Sequence, residues 1–156
     1  MLAAIKDFFS DLAAGEKDQK RFEPDDYRLA AAALLIHAAM IDGSMSDVER
    51  DNLVGVVKAR FGLDDAAAQD LVTAATEAEQ QAVDLYRFTS LINRSLDESG
   101  RQQIVAMMWQ VAHADGRVTE FEDNLIWRAA DLLHVSSQAR IALRRRVAES
   151  LGLRHD

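Results

Sequence analysis

The sequence contains no cysteine. Disulfide bonds, thiolate catalysis and cysteine-ligated zinc or iron–sulfur centres are therefore excluded, and a reducing compartment suits the chain. Proline occurs once, at Pro24, and only seven of the 156 residues are glycine. Because both residue types interrupt helices, their scarcity favours helices over sheets, as does the abundance of alanine and leucine.

A positive net charge and long apolar runs are also missing. The formal net charge is −8, which disfavours nucleic acid as a partner because phosphate binding requires clustered cations. No apolar run reaches the length of about 18 residues that spans a bilayer. The N-terminus places Lys6, Asp7 and Asp11 close together, which does not resemble a secretory signal. We therefore expect a cytoplasmic protein.

Apolar residues make up 49% of the chain and recur at helical spacing. Together with capping residues, this pattern predicts an all-α protein of about seven helices, or about eight with a short N-terminal one. Residues 1–24 are expected to form that amphipathic helix (2–13) and a polar linker, and residues 25–156 the helical domain. The first long helix, ending near Ile41, is nearly all apolar and is therefore predicted to be central and buried.

The strongest pattern in the sequence occurs twice. Asp-Gly-Ser-Met-Ser-Asp-Val-Glu spans 42–49, and Asp-Gly-Arg-Val-Thr-Glu-Phe-Glu spans 115–122, an offset of 73 residues. The same offset aligns five apolar pairs: Ala39 with Ala112, Leu34 with Met107, Leu35 with Met108, Leu53 with Ile126, and Val57 with Ala130. Internal repetition of this kind predicts a pseudo-twofold arrangement of helical hairpins with paired acidic corners.

Most of the repeated motif has a structural explanation. Ser46 with Glu49, and Thr119 with Glu122, match the capping box, in which a hydroxyl and a carboxylate satisfy backbone N–H groups at a helix start. A glycine ends the helix before each motif. On this interpretation the glutamates are helix caps.

Asp42 and Asp115 are explained less well, since each follows a helix C-terminus, where the dipole disfavours negative charge. Hydrogen bonds from backbone N–H groups of the turn are one form of compensation. A cation is the other. Asp42, Glu49, Asp115 and Glu122 would supply oxygen ligands suited to calcium, magnesium or manganese if the hairpins pack about a pseudo-twofold axis. Acid–base catalysis by these carboxylates is the weakest alternative, and we predict no catalytic residue.

The combination of Ala-x-x-Asp-Gly, a hydrophobic residue two positions on, and Ser/Thr-x-x-Glu resembles the TerB-like family. The resemblance covers roughly residues 26–148 and is closer in the second copy. It implies an all-helical TerB-like fold and a metal site at Asp42, Glu49, Asp115 and Glu122, with Asp47 and Glu120 as secondary ligands. It also implies a role in stress responses, including tellurite resistance, through protein complexes at the cytoplasmic face of the membrane.

The leading prediction is therefore a non-enzymatic, cytoplasmic, TerB-like module that binds a divalent cation and protein partners. The alternative is a metal-free interaction module in which the motifs are only helix caps. The N-terminal helix carries Phe8 and Phe9 on its apolar face and is expected to dock on protein, with homo-oligomer formation by exchange as one outcome.

Several side chains are predicted from pattern alone to have structural roles. Val48 is expected to point inward, Trp109 and Trp127 to lie in the core, and His37 to be a packing residue. The arginines of the last helix are expected to pair with acidic residues on the body, to lie favourably near the helix C-terminus, or to contact an acidic partner or anionic lipid. They are Arg140, Arg144, Arg145 and Arg146.

Overall fold

A computed structural model describes residues 22–23, 25–41, 43–82, 84–113 and 118–152. The predicted N-terminal helix over 2–13 lies outside the described residues, as do Asp42 and Asp115. The described part of the chain contains seven helices and no strand, which confirms the predicted all-α fold. The helices are α1 (Tyr27–Ala39), α2 (Asp47–Phe61), α3 (Asp65–Gln81), α4 (Tyr86–Ser95), α5 (Glu98–Ala112), α6 (Glu120–Leu132) and α7 (Ser137–Ser150).

Side-chain caps fix where most of these helices begin. Asp64 accepts the N–H of Ala67 at 2.8 Å to start α3, and Asp97 accepts the N–H of Gly100 at 2.9 Å to start α5. Each bond satisfies a backbone donor that the first helical turn leaves without an intrahelical acceptor. The capping residues visible in the sequence therefore set the element boundaries.

Helix α1 lies at the centre of the domain. It contacts α2, α3, α4, α5 and α6, and its alanines from 30 to 33 are almost completely buried, together with Leu34, Leu35 and Ile36. Small side chains allow neighbouring helices to approach closely on several faces, so one helix can form the core of a many-helix domain. The prediction of a central, buried first helix is confirmed.

The repeat extends beyond the motif to three helices. Helices α1, α2 and α3 correspond to α5, α6 and α7, and α4 connects the two sets. The offset of 73 residues relates the ends of α1 and α5, at Ala39 and Ala112, and the starts of α2 and α6, at Asp47 and Glu120. All five aligned apolar pairs are buried. The core is thus built from equivalent positions of two similar units.

Two predicted core residues are exposed. Val48 is 73% exposed and Trp127 is 43% exposed, so the inward placement of both is wrong. Val48 occupies the first turn of α2, before the helix reaches the core. Phe121, its equivalent in α6, is 71% exposed for the same reason. Within the described ranges, no helix is long and apolar enough to cross a membrane.

Candidate functional site

Both acidic corners contain complete capping boxes. The N–H of Ser46 donates to Glu49 Oε1 at 2.8 Å, and the N–H of Glu49 donates to Ser46 Oγ at 3.1 Å. The N–H of Thr119 donates to Glu122 Oε1 at 2.8 Å, and the N–H of Glu122 donates to Thr119 Oγ1 at 3.1 Å. The equal distances confirm that the two corners have the same local structure, and they account for one oxygen of each glutamate.

The capping boxes lead to a stability prediction. Ser46→Ala and Thr119→Ala should each lower the free energy of unfolding by about 1 kcal/mol, because each leaves a helix-start N–H without its acceptor. Urea denaturation measures this directly. Ser44→Ala is the matched control, since Ser44 is exposed and precedes the cap. Equal costs for Ser44 and Ser46 would contradict the capping role.

The two corners lie at the same end of the domain. His37 Nδ1 is 2.9 Å from Glu79 Oε2, so the C-terminal ends of α1 and α3 meet. Asp84 and Leu85, just before α4, line a cavity together with His37, so α4 starts at this end as well. Helix α4 therefore runs away from the corner end.

The far end of α4 fixes the direction of α5. Asn93 Nδ2 donates to the carbonyl of Leu132 at 2.9 Å, near the end of α6. Arg101 Nε, near the start of α5, donates to the carbonyl of Leu133 at 2.9 Å. Helix α5 thus starts at the far end and runs in the same direction as α1, which it contacts. The described C-terminal ends of α1 and α5, at Ala39 and Ala112, therefore lie at the same end of the domain.

Of the four predicted metal ligands, Glu49 and Glu122 are described and Asp42 and Asp115 lie outside the described residues. Over the ranges that the structure describes, no group of three or more histidine, aspartate or glutamate side chains is close enough to hold a metal ion. The predicted four-ligand set includes Asp42 and Asp115 and so extends beyond the described residues. A cation site at this end requires Asp42 and Asp115, whose carboxylates would complete an all-oxygen donor set of the kind that hard cations prefer.

Gly43 is one of the described residues of the turn between α1 and α2. Its φ of +113° lies in the region that favours glycine, and its N–H donates to the carbonyl of Met40 at 2.9 Å. A residue with a Cβ would be strained in this conformation. Helix α1 already ends at Ala39 with Met40 as its C-cap, so Gly43 has the predicted positive φ but lies in the turn and does not itself end the helix. Gly116 lies outside the described residues.

A polar cluster beside the first corner was not predicted. His37 pairs with Glu79, and Asp84 and Arg128 face the same cavity of about 220 Å³. His37 was interpreted as a packing residue, but it joins α1 to α3 through a polar contact. Because 42 residues separate the partners, no local pattern in the sequence signals the pair. The cluster adds titratable groups to the corner end of the domain.

The arginines of α7 divide into two groups. Arg144 Nη1 pairs with Asp123 Oδ1 at 3.1 Å and lies 5.1 Å from the ring centroid of Trp109. Arg140 is buried and lies 4.7 Å over the ring of Trp127, and this burial lowers the pKa of Arg140 from its ordinary value. Arg145 and Arg146 are exposed. Pairing with an acid on the body is thus confirmed for Arg144, while two arginines remain at the surface.

The fold defines this chain as an all-helical protein of two repeats, each with an acidic corner between its first two helices. In a comparison with known families, residues 28–145 match the family described as tellurite resistance protein TerB. The match covers more than half of the chain, and the protein belongs to the TerB family. Comparison with curated proteins gave no match, and comparison with solved structures gave none either.

Proposed function

We propose that this TerB-family protein is a non-enzymatic stress-response module that binds one divalent cation between its two acidic corners. The observation that supports the proposal is the arrangement of α1 and α5, which run in the same direction in contact, so that the helix ends that precede the two corners lie at one end of the domain. The ligands would be Asp42, Glu49, Asp115 and Glu122. A carboxylate has two oxygens, so a cap hydrogen bond and a metal bond can share one glutamate.

The cation would act by compensating charge. Asp42 and Asp115 each follow a helix C-terminus, where the dipole disfavours an anion. Calcium, magnesium or manganese would offset that repulsion and join the two repeats. Glu49 and Glu122 are already oriented by their cap bonds at 2.8 Å, so less conformational freedom is lost when an ion binds.

We also propose that the module acts through protein partners, in the cytoplasm or at the inner face of the membrane. Val48 and Phe121 support this because they are equivalent, highly exposed apolar residues beside the two corners. An exposed apolar side chain beside each corner would give a partner one apolar contact per repeat. A cation at the corners would then alter the surface that a partner contacts. The link to tellurite stress rests on the family description.

The second candidate is a metal-free interaction module. The complete capping boxes favour it, because they explain Glu49 and Glu122 without a cation. Turn N–H groups would then compensate Asp42 and Asp115. The two candidates differ in whether the folded protein gains stability from a metal ion.

Thermal unfolding with calcium, magnesium or manganese against a chelator separates the two candidates. A ligand at 100 times its Kd stabilises the folded state by about 2.7 kcal/mol, so the wild type should melt at a higher temperature with metal. Asp42→Asn combined with Asp115→Asn should abolish this increase. The double variant should keep or gain stability in chelator, because it removes two charges that the helix dipoles disfavour.

Asp70→Asn combined with Asp131→Asn provides the matched control, since both are exposed acids away from the corners and the charge change is the same. This control should respond to metal like the wild type. A wild type that shows no metal-dependent increase at millimolar concentrations would eliminate the cation proposal and leave the metal-free module.

A further inference from the structure

A polar groove runs between α2, α5 and α7. It consists of two adjoining cavities, of about 410 Å³ and about 500 Å³, that share Arg60 and Gln110. We name it the amide groove, defined by Asn52, Arg60, Gln102, Gln103, Gln110 and Arg146. Four primary amides and two guanidinium groups thus line one continuous surface depression.

Two polar atoms in the amide groove are buried without a hydrogen-bond partner among the described residues. They are Asn52 Nδ2 and Gln110 Oε1, a donor and an acceptor in the same cavity. Leaving such atoms without partners is costly, so buried amides are normally satisfied by protein or by ordered water. Asn52 and Gln110 are themselves only half-buried and line the groove, so rotation of the two amide groups would offer a donor and an acceptor to a ligand such as a peptide group.

The two repeats differ at one equivalent polar position. Its side chain has a hydrogen-bond partner in the first repeat, whereas in the second repeat one of its polar atoms has none among the described residues. Gln110 is 73 residues after His37 and occupies the equivalent position in the second repeat. His37 contacts Glu79 of its own unit at 2.9 Å. Gln110 Oε1 has no such contact in the described part of the chain. The second repeat therefore has the amide of Gln110 beside the groove where the first repeat has the internal contact between His37 and Glu79.

The charge of the amide groove identifies the kind of partner. Arg60 and Arg146 are exposed, and neither forms an ion pair within the described ranges. Two arginines without ion pairs form a cationic site on a chain whose net charge is −8, and guanidinium groups bind carboxylates strongly. The residues that line the groove include no aromatic side chain, so a nucleobase would find no ring on which to stack.

We propose that the amide groove binds an extended acidic segment of a partner protein. A peptide group of that segment pairs with Asn52 and Gln110 once their amide groups rotate toward the groove, and its carboxylate side chains pair with Arg60 and Arg146. Asp51 also lines the groove, about two and a half helical turns before Arg60 in α2, and repels acidic residues from that end of the groove. The proposal rests on the part of the proposed function that assigns a protein partner, and not on the cation.

Selection of random short peptides from a display library on the full chain tests this directly. The selected peptides should be enriched in aspartate and glutamate. Arg60→Gln combined with Arg146→Gln should weaken their binding by about tenfold or more, because charge-assisted hydrogen bonds are lost. Arg94→Gln combined with Arg145→Gln is the control with the same charge change outside the groove, and it should bind like the wild type.

Gly55 provides a second variant that does not threaten the fold. A Cβ built at Gly55 has no neighbour within 4 Å, and Gly55 lies in the middle of α2 and lines the groove. Gly55→Gln should therefore fill the groove and block the peptide while leaving the chain at least as stable, since glycine is unfavourable inside a helix. Gly55→Ala should stabilise α2 and retain most of the binding.

Nuclear magnetic resonance of the side-chain amides shows directly whether a peptide binds at the groove. The resonances of Asn52 and Gln110 should shift when a selected peptide is added and should not shift with inorganic phosphate alone. Equal shifts with phosphate would identify a small-anion site and overturn the peptide proposal.

The exposed residues at the corners separate this proposal from the proposed function. If binding survives the groove variants but is lost in Val48→Ser combined with Phe121→Ser, the partner binds at the corners. That result would contradict the groove proposal and leave the proposed function intact. If no peptide is selected, the groove proposal fails, whereas the metal response of the proposed function is measured independently.

Discussion

Replacing Trp109 with alanine is expected to lower the free energy of unfolding by about 3–5 kcal/mol, the usual cost of deleting a buried aromatic side chain. Trp109 is completely buried in α5. The guanidinium of Arg144 lies 5.1 Å from its ring centroid, so the substitution also removes a cation–π contact. Urea denaturation followed by circular dichroism measures the loss, because tryptophan fluorescence itself changes in the variant.

Two matched substitutions make the Trp109 prediction specific. Trp127→Ala should cost only about 1–2 kcal/mol, because Trp127 is 43% exposed and loses mainly its contact with Arg140. Trp109→Phe should cost less than Trp109→Ala, since phenylalanine refills most of the space. It also removes the indole N–H, which has no acceptor among the described residues. Equal costs at Trp109 and Trp127 would contradict the burial that the structure assigns to them.

Leu53→Ala and Ile126→Ala are each expected to destabilise the fold by about 2–5 kcal/mol. Both residues are completely buried, and they occupy equivalent positions in α2 and α6. If the two repeats contribute equally to one core, the two costs should be similar. Chemical denaturation of the two single variants makes the comparison.

Val48→Ala and Phe121→Ala are the matched controls for this pair. They are also equivalent in the two repeats, but they are 73% and 71% exposed, so each should change stability by less than about 0.5 kcal/mol. A large effect at Val48 or Phe121 would mean that the first turns of α2 and α6 are packed. A small effect at Leu53 or Ile126 would show that one repeat is dispensable for the core.

The repeat and the helix boundaries could be predicted because their causes are local. The motif spacing identified Ser46 and Thr119 as caps, and the structure shows both with their bonds. Asp64 and Asp97 signal helix starts in the same way. A capping residue acts over three or four positions of the chain, so sequence alone is sufficient to find it.

The exposed hydrophobic residues could not be predicted by the same means. Val48 and Trp127 have apolar or aromatic side chains at positions compatible with a buried helix face. Whether a position is buried depends on which neighbouring helix covers it, and this is a property of the tertiary packing. The stacking of Arg140 on Trp127 shows how an aromatic residue outside the core can still be partly covered.

The polar contacts that join distant segments of the chain could not be predicted from the sequence either. His37 pairs with Glu79 across 42 residues, and Asn93 reaches the end of α6 across 39 residues. These contacts fix the directions of α3, α4 and α5, and therefore the common end at which the corners emerge. The sequence predicted two corners, but only the helix directions seen in the fold show that the helix ends preceding them lie at one end of the domain.

The central claim is that the two corners bind one cation together. Titration of calcium, magnesium or manganese into the isotopically labelled chain, followed by nuclear magnetic resonance, tests it most directly. The account predicts that the amides of Ser46, Glu49, Thr119 and Glu122 change together with one midpoint, saturating at one ion per chain. Asp42→Asn alone should then abolish the change at Thr119 and Glu122 as well as at its own corner. Separate midpoints for the two corners, or no change with any of the three ions at millimolar concentration, would contradict the claim.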